Sequence, residues 1–151
     1  DALDSRIMKA HHLDGDFFSE RLLALQVEVG ELANETRCFK YWSVKPPSPH
    51  SEILEEYVDG IHFILSLGIT LGYEEHIPKK TVRQNENIVE QFLTVYQCIS
   101  QLYREKSSEA YVTLFTEYMV LGALLGFTEH EIEAAYFEKN LVNHKRQDRG
   151  Y

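Results

Sequence analysis

Cysteine is scarce in this chain, which has only two, Cys38 and Cys98, among its 151 residues. They lie far apart in sequence and form no CxxC or other metal-binding spacing. This excludes a scaffold held together by several disulfides and a zinc-ribbon site. We expect reduced, buried thiols, as in a cytoplasmic protein.

Long apolar runs and positive charge are also lacking. No run is long enough to span a bilayer, and no segment has the charged start, apolar stretch and small-residue cleavage site of a signal peptide. The 15 Lys and Arg residues are outnumbered by 24 Asp and Glu residues, which gives a formal net charge of −9. That charge argues against nucleic acid or an anionic membrane as a partner. We therefore expect a cytoplasmic protein that binds neither.

No stretch shows the period-two alternation of a half-buried strand, so the sequence predicts an all-α fold. With 44% hydrophobic and 26% charged residues, the composition is that of one globular domain spanning residues 1–151. We expect a bundle of about five to six helices. The predicted helices cover, approximately, residues 1–11, 16–40, 51–71, 88–104, 110–125 and 128–146.

Residues that cap or break helices mark the predicted boundaries. Three of the four prolines lie in residues 43–50, which therefore cannot be helical. Asp16 and Ser51 are predicted to cap the two helices that they precede. Thr128 and Glu131 have the spacing of a capping box, which predicts the start of the last helix.

Two of the predicted helices carry a pair of acids three residues apart. Glu28 and Glu31 lie on one helix, and Glu56 and Asp59 lie on the next. Residues i and i+3 share a helix face, so each pair can present two carboxylates to one point. Four such groups facing each other across a helix pair make a site for hard divalent cations. The sequence therefore predicts a metal site on this helix pair, within a fold expected to have a four-helix metal-binding core.

Helical periodicity indicates which face these acids occupy. Leu25 and Leu32 lie on the same side of their helix as Glu28, which predicts that Glu28, Glu31 and Glu35 face the interior. The opposite side is a polar strip: Gln26, Gly30 and Arg37. Ionised carboxylates facing an interior repel one another and lose hydration unless cations neutralise them.

On the second acidic helix, the main apolar stripe lies opposite Glu56 and Asp59. Phe63 and Leu67 nevertheless continue the face of Glu56, so this helix is expected to be covered on both sides. A solvated acidic face is the alternative, and it is the better explanation of this helix taken alone. The inward-facing acids of the first helix favour metal.

The last predicted helix carries hydrogen-bond donors at three- and four-residue spacing. Lys139, Asn143 and Arg146 share a face, which suits a polyanion such as the phosphates of a nucleotide. The alternative is a cationic helix C-terminus that complements the helix macrodipole. Taken alone, that alternative is preferred. Next to a cluster of carboxylates that binds metal, however, phosphate binding is the better interpretation, because metal ions and polyphosphates bind together.

Together these segments resemble the dimeric, all-helical dUTPase family, within the helical nucleoside triphosphate pyrophosphohydrolases that include the MazG proteins. VEVGELANE at 27–35 with EEYVD at 55–59 resembles that group's ExxE and ExxD metal motifs. FKYW at 39–42 resembles the segment that supplies an aromatic side chain to the base pocket. EKNLVNHKRQDRGY at 138–151 resembles the family's phosphate-binding C-terminal motif. The resemblance covers most of the chain and is least specific at residues 73–128.

The resemblance implies roles for individual residues. Glu28, Glu31, Glu56 and Asp59 would bind two or more ions of Mg²⁺, or of Mn²⁺, with Glu28 or Glu31 as the catalytic base. The substrate would be bound by Asp4, Trp42, His62, Phe63, Lys139, Asn143, Arg146 and Tyr151. From the residues alone, Trp42 fits a core or interface position equally well, and His62 fits a simply packed histidine.

The implied activity is hydrolysis of dUTP to dUMP and pyrophosphate by a homodimer, with dUDP left open as a second substrate. A related pyrophosphohydrolase for another nucleotide, such as dCTP, would keep the metal ligands and differ around Asp4 and Trp42. A non-catalytic helical interaction module would leave the acids solvated. A di-iron four-helix protein would need two Glu-x-x-His motifs, which the sequence does not have.

Overall fold

In the computed structural model, residues 2–3, 16–76, 78 and 87–148 are described, apart from the side chains of residues 143, 144 and 146–148. Within these ranges the chain forms five α-helices and no strand, which confirms the all-α prediction. The helices are α1 (Phe18–Thr36), α2 (His50–Leu71), α3 (Ile88–Glu105), α4 (Ser108–Leu124) and α5 (Glu129–Asp148). Of the predicted helix 1–11, only Ala2 and Leu3 lie inside the described residues, and both are helical.

Local capping chemistry sets several helix ends as predicted. The capping box that opens α5 is confirmed: the Thr128 amide donates to Glu131 Oε1 and the Glu131 amide donates to Thr128 Oγ1, both at 3.1 Å. At the end of α2, Gly72 adopts the left-handed conformation with φ 78°, which glycine does without steric cost. Its amide donates to the last carbonyls of α2.

Several predicted boundaries are wrong by one to four residues. The helix predicted to reach about residue 40 ends at Thr36, because Arg37 turns left-handed (φ 58°) and donates its amide to the Ala33 and Asn34 carbonyls. At the start of α2, Pro49 holds the cap position instead of Ser51. Asp16 stands one residue before the α1 cap, although its Oδ1 accepts from the Phe18 amide at 3.1 Å.

Four helices form a bundle in which α1 packs on α2 and α3, and α4 packs on α3 and α2. The fifth helix, α5, packs on α2, so α2 has neighbours on several sides. This confirms the expectation that the second acidic helix is covered on both sides. The core is formed by apolar residues that are fully buried on all four helices, including Leu25, Leu32, Ile64, Leu67, Val95, Ile99, Leu114 and Leu121.

Tyrosines and helical glycines set the spacing between α2 and α4. The Tyr57 hydroxyl donates to the Tyr118 carbonyl at 2.9 Å, and the Tyr118 hydroxyl donates to the Tyr57 carbonyl at 2.7 Å. A third hydroxyl, that of Tyr111, donates to the Ile64 carbonyl at 2.9 Å. Each hydroxyl occupies the space that a glycine leaves open: Tyr57 at Gly122, Tyr118 at Gly60 and Tyr111 at Gly68. A β-carbon at any of these glycines would overlap the tyrosine.

The strip of α1 predicted to be polar is partly covered by α3. The Tyr96 hydroxyl donates to the Gln26 carbonyl at 3.0 Å and lies 3.2 Å from where a β-carbon of Gly30 would be. Periodicity could not reveal this contact, because a glycine and a backbone carbonyl carry no apolar signal. Because this strip faces α3, the acids lie on the side of α1 that faces α2.

Among the described residues, no single helix is long and apolar enough to cross a membrane. Ser108–Leu124 and Glu129–Val142 meet the length and composition requirement only as a pair, with a bend of 109° between them.

Candidate metal centre

Carboxylate groups from α1 and α2 converge at Glu28, Glu31 and Glu56. One oxygen from each lies within 4.8 Å of the others. Glu28 and Glu56 are half-buried, whereas Glu31 is exposed, so the prediction that Glu31 faces the interior is wrong. An i+3 neighbour stands about 60° around the helix from its partner, and that rotation takes Glu31 out to the rim.

Two oxygens of this cluster have no hydrogen-bond donor. Glu28 Oε2 and Glu56 Oε2 are buried, and neither accepts a hydrogen bond from an N–H or hydroxyl group of the described residues. Leaving a buried carboxylate oxygen unpaired is costly, so a proton or a cation is needed between the two. All the candidate ligand atoms are carboxylate oxygens, the type that Mg²⁺ and Mn²⁺ prefer. The residues present therefore fit a divalent cation.

The same crowding changes the protonation of the cluster. Burial, followed by the charges of Asp59 and Glu31, raises the pKa of the Glu28 carboxyl to about 8. Burial also raises the pKa of Glu56 to about 7, and a hydrogen bond from Glu28 acts against that rise. Burial and the neighbouring charges therefore disfavour the ionised form of Glu28.

Asp59, the fourth predicted ligand, is engaged by a lysine. Its Oδ1 lies 3.6 Å from Lys139 Nζ on α5, which also lies 2.9 Å from Glu55 Oε1. Burial raises the pKa of Asp59, and the Lys139 charge opposes that rise. Asp59 is outside the group of three oxygens within 4.8 Å, although its charge acts on Glu28. The Lys139 ammonium thus neutralises Asp59 beside the cluster.

His62 and Phe63 follow Asp59 by one helical turn. The His62 ring lies 6.2 Å from the Tyr136 ring on α5 and 6.2 Å from the Phe63 ring. Phe63 is half-buried against the hydrophobic core. Both side chains therefore stand where α2 meets its neighbours, on the acid-bearing part of α2.

Trp42 lies in the loop between α1 and α2, where it is 65% exposed. Its ring meets the edges or faces of Phe39 and Tyr41, at centroid distances of 6.0 and 5.1 Å. The Arg37 guanidinium stabilises this loop by donating to the Ser43 hydroxyl at 2.8 Å and to the Lys45 carbonyl at 3.2 Å. The loop therefore holds an accessible aromatic cluster, and Trp42 is not a core residue.

A model of the dUTPase family matches residues 1–151, the whole chain. The chain belongs to the dUTPase family. Membership supports hydrolysis of dUTP, hence a nucleotide substrate, and implies a divalent cation in general. It also confirms the family expected from the ExxE, ExxD and FKYW segments. No curated protein and no solved structure matches the chain.

Four of the residues that the dUTPase resemblance implies for substrate binding cannot be placed. Asp4 and Tyr151 lie outside the described residues, and so do the side chains of Asn143 and Arg146 on α5. Of the predicted phosphate-binding face, only Lys139 is therefore located, and it is 16% exposed.

Two features beside the carboxylate cluster were missed in the sequence. The first is Arg37, which was assigned to a polar strip but holds the aromatic loop. Ser48 also holds this loop, because its hydroxyl and its amide donate to Glu35. The second is the Tyr57–Tyr118 pair behind the acids of α2. A glycine inside a helical pattern, such as Gly60, was the available signal, because it often marks a close approach of another group.

Proposed function

We propose that the protein is a divalent-cation-dependent dUTP diphosphatase, a single domain that converts dUTP and water to dUMP and pyrophosphate. In a chain of the dUTPase family, one observation carries the proposal: carboxylate oxygens of Glu28, Glu31 and Glu56 lie within 4.8 Å of one another. Two buried oxygens of that cluster have no N–H or hydroxyl donor among the described residues. Mg²⁺ is the proposed ion, with Mn²⁺ as a substitute and two or more ions bound.

The acids and Lys139 would divide the work at the site. Glu28, Glu31, Glu56 and Asp59 would hold the cations, which when bound stabilise phosphate charge and lower the pKa of water. Glu28 or Glu31 would accept the proton of the attacking water, and Glu31 is exposed enough for water to reach it. Once cations neutralise Asp59, the Lys139 ammonium would be available to the substrate phosphates.

The aromatic loop would supply the base contact. Trp42 is accessible, and an indole face can stack on uracil. The proposed site further includes Asp4, His62, Phe63, Asn143, Arg146 and Tyr151. The loop connects α1 and α2, so the base contact would lie on the same helix pair as the acids.

A homodimer is part of the proposal. Leu23 on α1 and Tyr103 on α3 are 61% and 59% exposed and line a groove of about 510 Å³ between the two helices. Large exposed apolar side chains along a groove favour a protein partner, here a second copy. Light scattering should give twice the chain mass of 17.6 kDa. A monomer at the concentration of the activity assay would contradict the proposed homodimer.

A cytoplasmic location is also proposed. Neither Cys38 nor Cys98 forms a disulfide, which fits a reducing compartment. Fractionation of the producing cells checks it, and recovery outside the cytoplasm would contradict it.

The deciding experiment is a turnover screen. The purified chain is incubated with dUTP, dUDP, dCTP, dTTP and UTP in Mg²⁺, in Mn²⁺ and in EDTA, and the products are quantified. We expect dUMP and pyrophosphate from dUTP, and no turnover in EDTA. Preference for dCTP would indicate the related pyrophosphohydrolase, and no turnover of any nucleotide would favour an interaction module.

Substitution of the cluster locates the chemistry. Glu28→Gln and Glu56→Gln should each lower kcat by about a hundredfold or more, because each replaces a charged ligand with a neutral amide. Steady-state kinetics with dUTP measures the loss. Glu20→Gln is the matched control, since it makes the same change on an exposed part of α1 and should keep kcat. Near-normal kcat in both cluster variants would rule out this site.

A further inference from the structure

Tyr118 on α4 forms a hydrogen bond to the backbone of α2 in the middle of the acid-bearing turn. Its hydroxyl donates at 2.7 Å to the carbonyl of Tyr57, the residue that follows Glu56 and precedes Asp59 by two. Tyr118 is fully buried, and its ring stacks on that of Tyr57 with centroids 4.6 Å apart and an interplanar angle of 6°.

The contact is closely fitted on both sides. The Tyr57 hydroxyl returns a hydrogen bond to the Tyr118 carbonyl at 2.9 Å. Gly60 and Gly122 leave the space that the two hydroxyls fill, and a β-carbon at either would overlap a tyrosine. Carbonyl oxygens have two lone pairs, so the Tyr57 carbonyl can accept from Tyr118 and keep its helical bond. The bond from the Tyr118 hydroxyl therefore holds this turn of α2 in place against α4.

Rotation of α2 matters for ligand geometry. A helix with its side chains is about 10–12 Å across, so a peripheral carboxylate lies roughly 5 Å from the axis and a rotation of about 10° moves it by roughly 1 Å. Metal sites need ligand positions held within about 0.5 Å. Glu56 and Asp59 would lose their register with Glu28 on such a rotation.

We infer that Tyr118 is a positioning residue for the cation site: its hydroxyl bond to the Tyr57 carbonyl holds the Glu56–Asp59 turn in register with Glu28. The inference rests on the proposed cation-dependent function. Burial, together with the charges of Tyr57 and the neighbouring acids, raises the pKa of Tyr118 well above its ordinary value, so the hydroxyl keeps the proton that it donates.

The chain contains a matched control on the same helix pair. Tyr111 is also buried on α4, also donates to a carbonyl of α2, that of Ile64, and also fills the space at a glycine, Gly68. Ile64 stands seven residues, about two helical turns, beyond Tyr57, away from the acids. Tyr118→Phe and Tyr111→Phe therefore remove the same kind of bond, one at the cluster and one distant from it.

The test titrates Mn²⁺ calorimetrically into the nucleotide-free full chain as wild type, Tyr118→Phe and Tyr111→Phe, and records Tm for each. Both variants should show similar losses of Tm. Tyr118→Phe should weaken Mn²⁺ binding by about tenfold, whereas Tyr111→Phe should stay within about twofold of wild type. With Mn²⁺ saturating and the dUTP concentration varied, Tyr118→Phe should lower kcat with KM for dUTP little changed.

The outcomes separate this inference from the proposed function. Wild type and Tyr118→Phe binding Mn²⁺ equally would overturn the positioning role and leave the function standing. Equal weakening of Mn²⁺ binding in Tyr118→Phe and Tyr111→Phe would overturn the inference, because Tyr118 would then act only as a structural contact. No saturable Mn²⁺ binding by wild type would overturn the function and the inference together. If Tyr118→Phe does not fold, Tyr57→Phe tests the pair from the other side and should keep Mn²⁺ affinity, because the Tyr118 bond remains; a tenfold loss there would count against the inference.

Discussion

Glu28 and Glu56 show how burial, together with neighbouring carboxylates, can set the charge state of a site. Their carboxyl groups share a half-buried space, and their pKa values rise to about 8 and about 7. A divalent cation can bind such a carboxyl group only by displacing its proton. The residue-level chemistry is therefore a competition between protons and divalent ions for the same oxygens.

This competition predicts a pH dependence of stability. From the ordinary value of 4.5 up to about 8, the folded chain holds protons on Glu28 and Glu56 that the unfolded chain has lost. Raising the pH across that range therefore favours unfolding, so Tm in EDTA should fall between about pH 6 and 8.5. The gain in Tm from added Mg²⁺ should grow over the same range. Thermal denaturation at several pH values measures both trends.

Glu28→Gln provides the control for this trend. The amide cannot titrate, so the fall of Tm with pH in EDTA should be much shallower. A flat profile in the wild type would show that the two carboxyl groups do not keep their protons.

Lys139 gives a second residue-scale prediction. Lys139→Met should raise KM for dUTP by about tenfold through loss of a phosphate contact, a change of about 1.4 kcal/mol. Mn²⁺ affinity without nucleotide should not fall, because the variant removes a charge that competes for Asp59. Lys145→Met, an exposed change on the same helix, is the control. Equal KM in both variants would return Lys139 to a structural ion pair with Glu55.

At the scale of elements, α2 organises the structure, because α1, α4 and α5 all pack on it. On α2 and α4, tyrosine hydroxyls fill the space beside glycines of the facing helix, and they do so in both directions. The distance between the two helices is therefore set by tyrosine rings and not by aliphatic packing alone. Glycines in these helices are packing residues.

The glycines differ in what an added methyl group would meet. Gly122→Ala should lower the free energy of unfolding by about 1–3 kcal/mol, because its β-carbon would overlap the Tyr57 hydroxyl. Gly30→Ala should change it by less than about 1 kcal/mol, because alanine is the better helix former and Tyr96, half-buried, can move. Chemical denaturation measures both values. A larger loss in Gly30→Ala would contradict this account.

At the scale of the whole molecule, one helix hairpin carries the acids and the aromatic loop of the proposed site, and α5 adds Lys139. The acids lie on α1 and α2, and the aromatic loop connects the same two helices. Arg37 holds that loop by hydrogen bonds to its hydroxyl and carbonyl groups, which leaves Trp42 open to solvent. A nucleotide bound there would contact the hairpin through its base and Lys139 on α5 through its phosphates.

Trp42→Ala tests this arrangement. Because Trp42 is 65% exposed, its loss should change Tm little, whereas loss of a stacked base should raise KM for dUTP by about tenfold, within the 1–3 kcal/mol typical of base stacking. Val44→Ala is the control, since Val44 is fully exposed in the same loop. Steady-state kinetics decides, and an unchanged KM would remove Trp42 from the base site.

Much of the fold and part of the site could be predicted from sequence. Helical periodicity, prolines and the Thr128–Glu131 capping box act within a few residues, so the all-α class and most helix positions followed from them. The acidic pairs and FKYW were likewise local patterns, and they led to the correct family. The end of α1 could not be predicted, because the left-handed turn at Arg37 goes with the loop contacts of its side chain.

The sequence by itself determined which residues form helices and which acids share a helix face, because the 3.6-residue repeat is a property of the local backbone. Only the tertiary structure decided that Glu31 stands at the exposed rim, that Lys139 holds Asp59, and that Tyr118 meets the backbone beside Glu56. These facts depend on how far each helix is rotated and how closely it approaches its neighbours. Rotation and spacing are set by contacts between residues far apart in the chain, which no local repeat records.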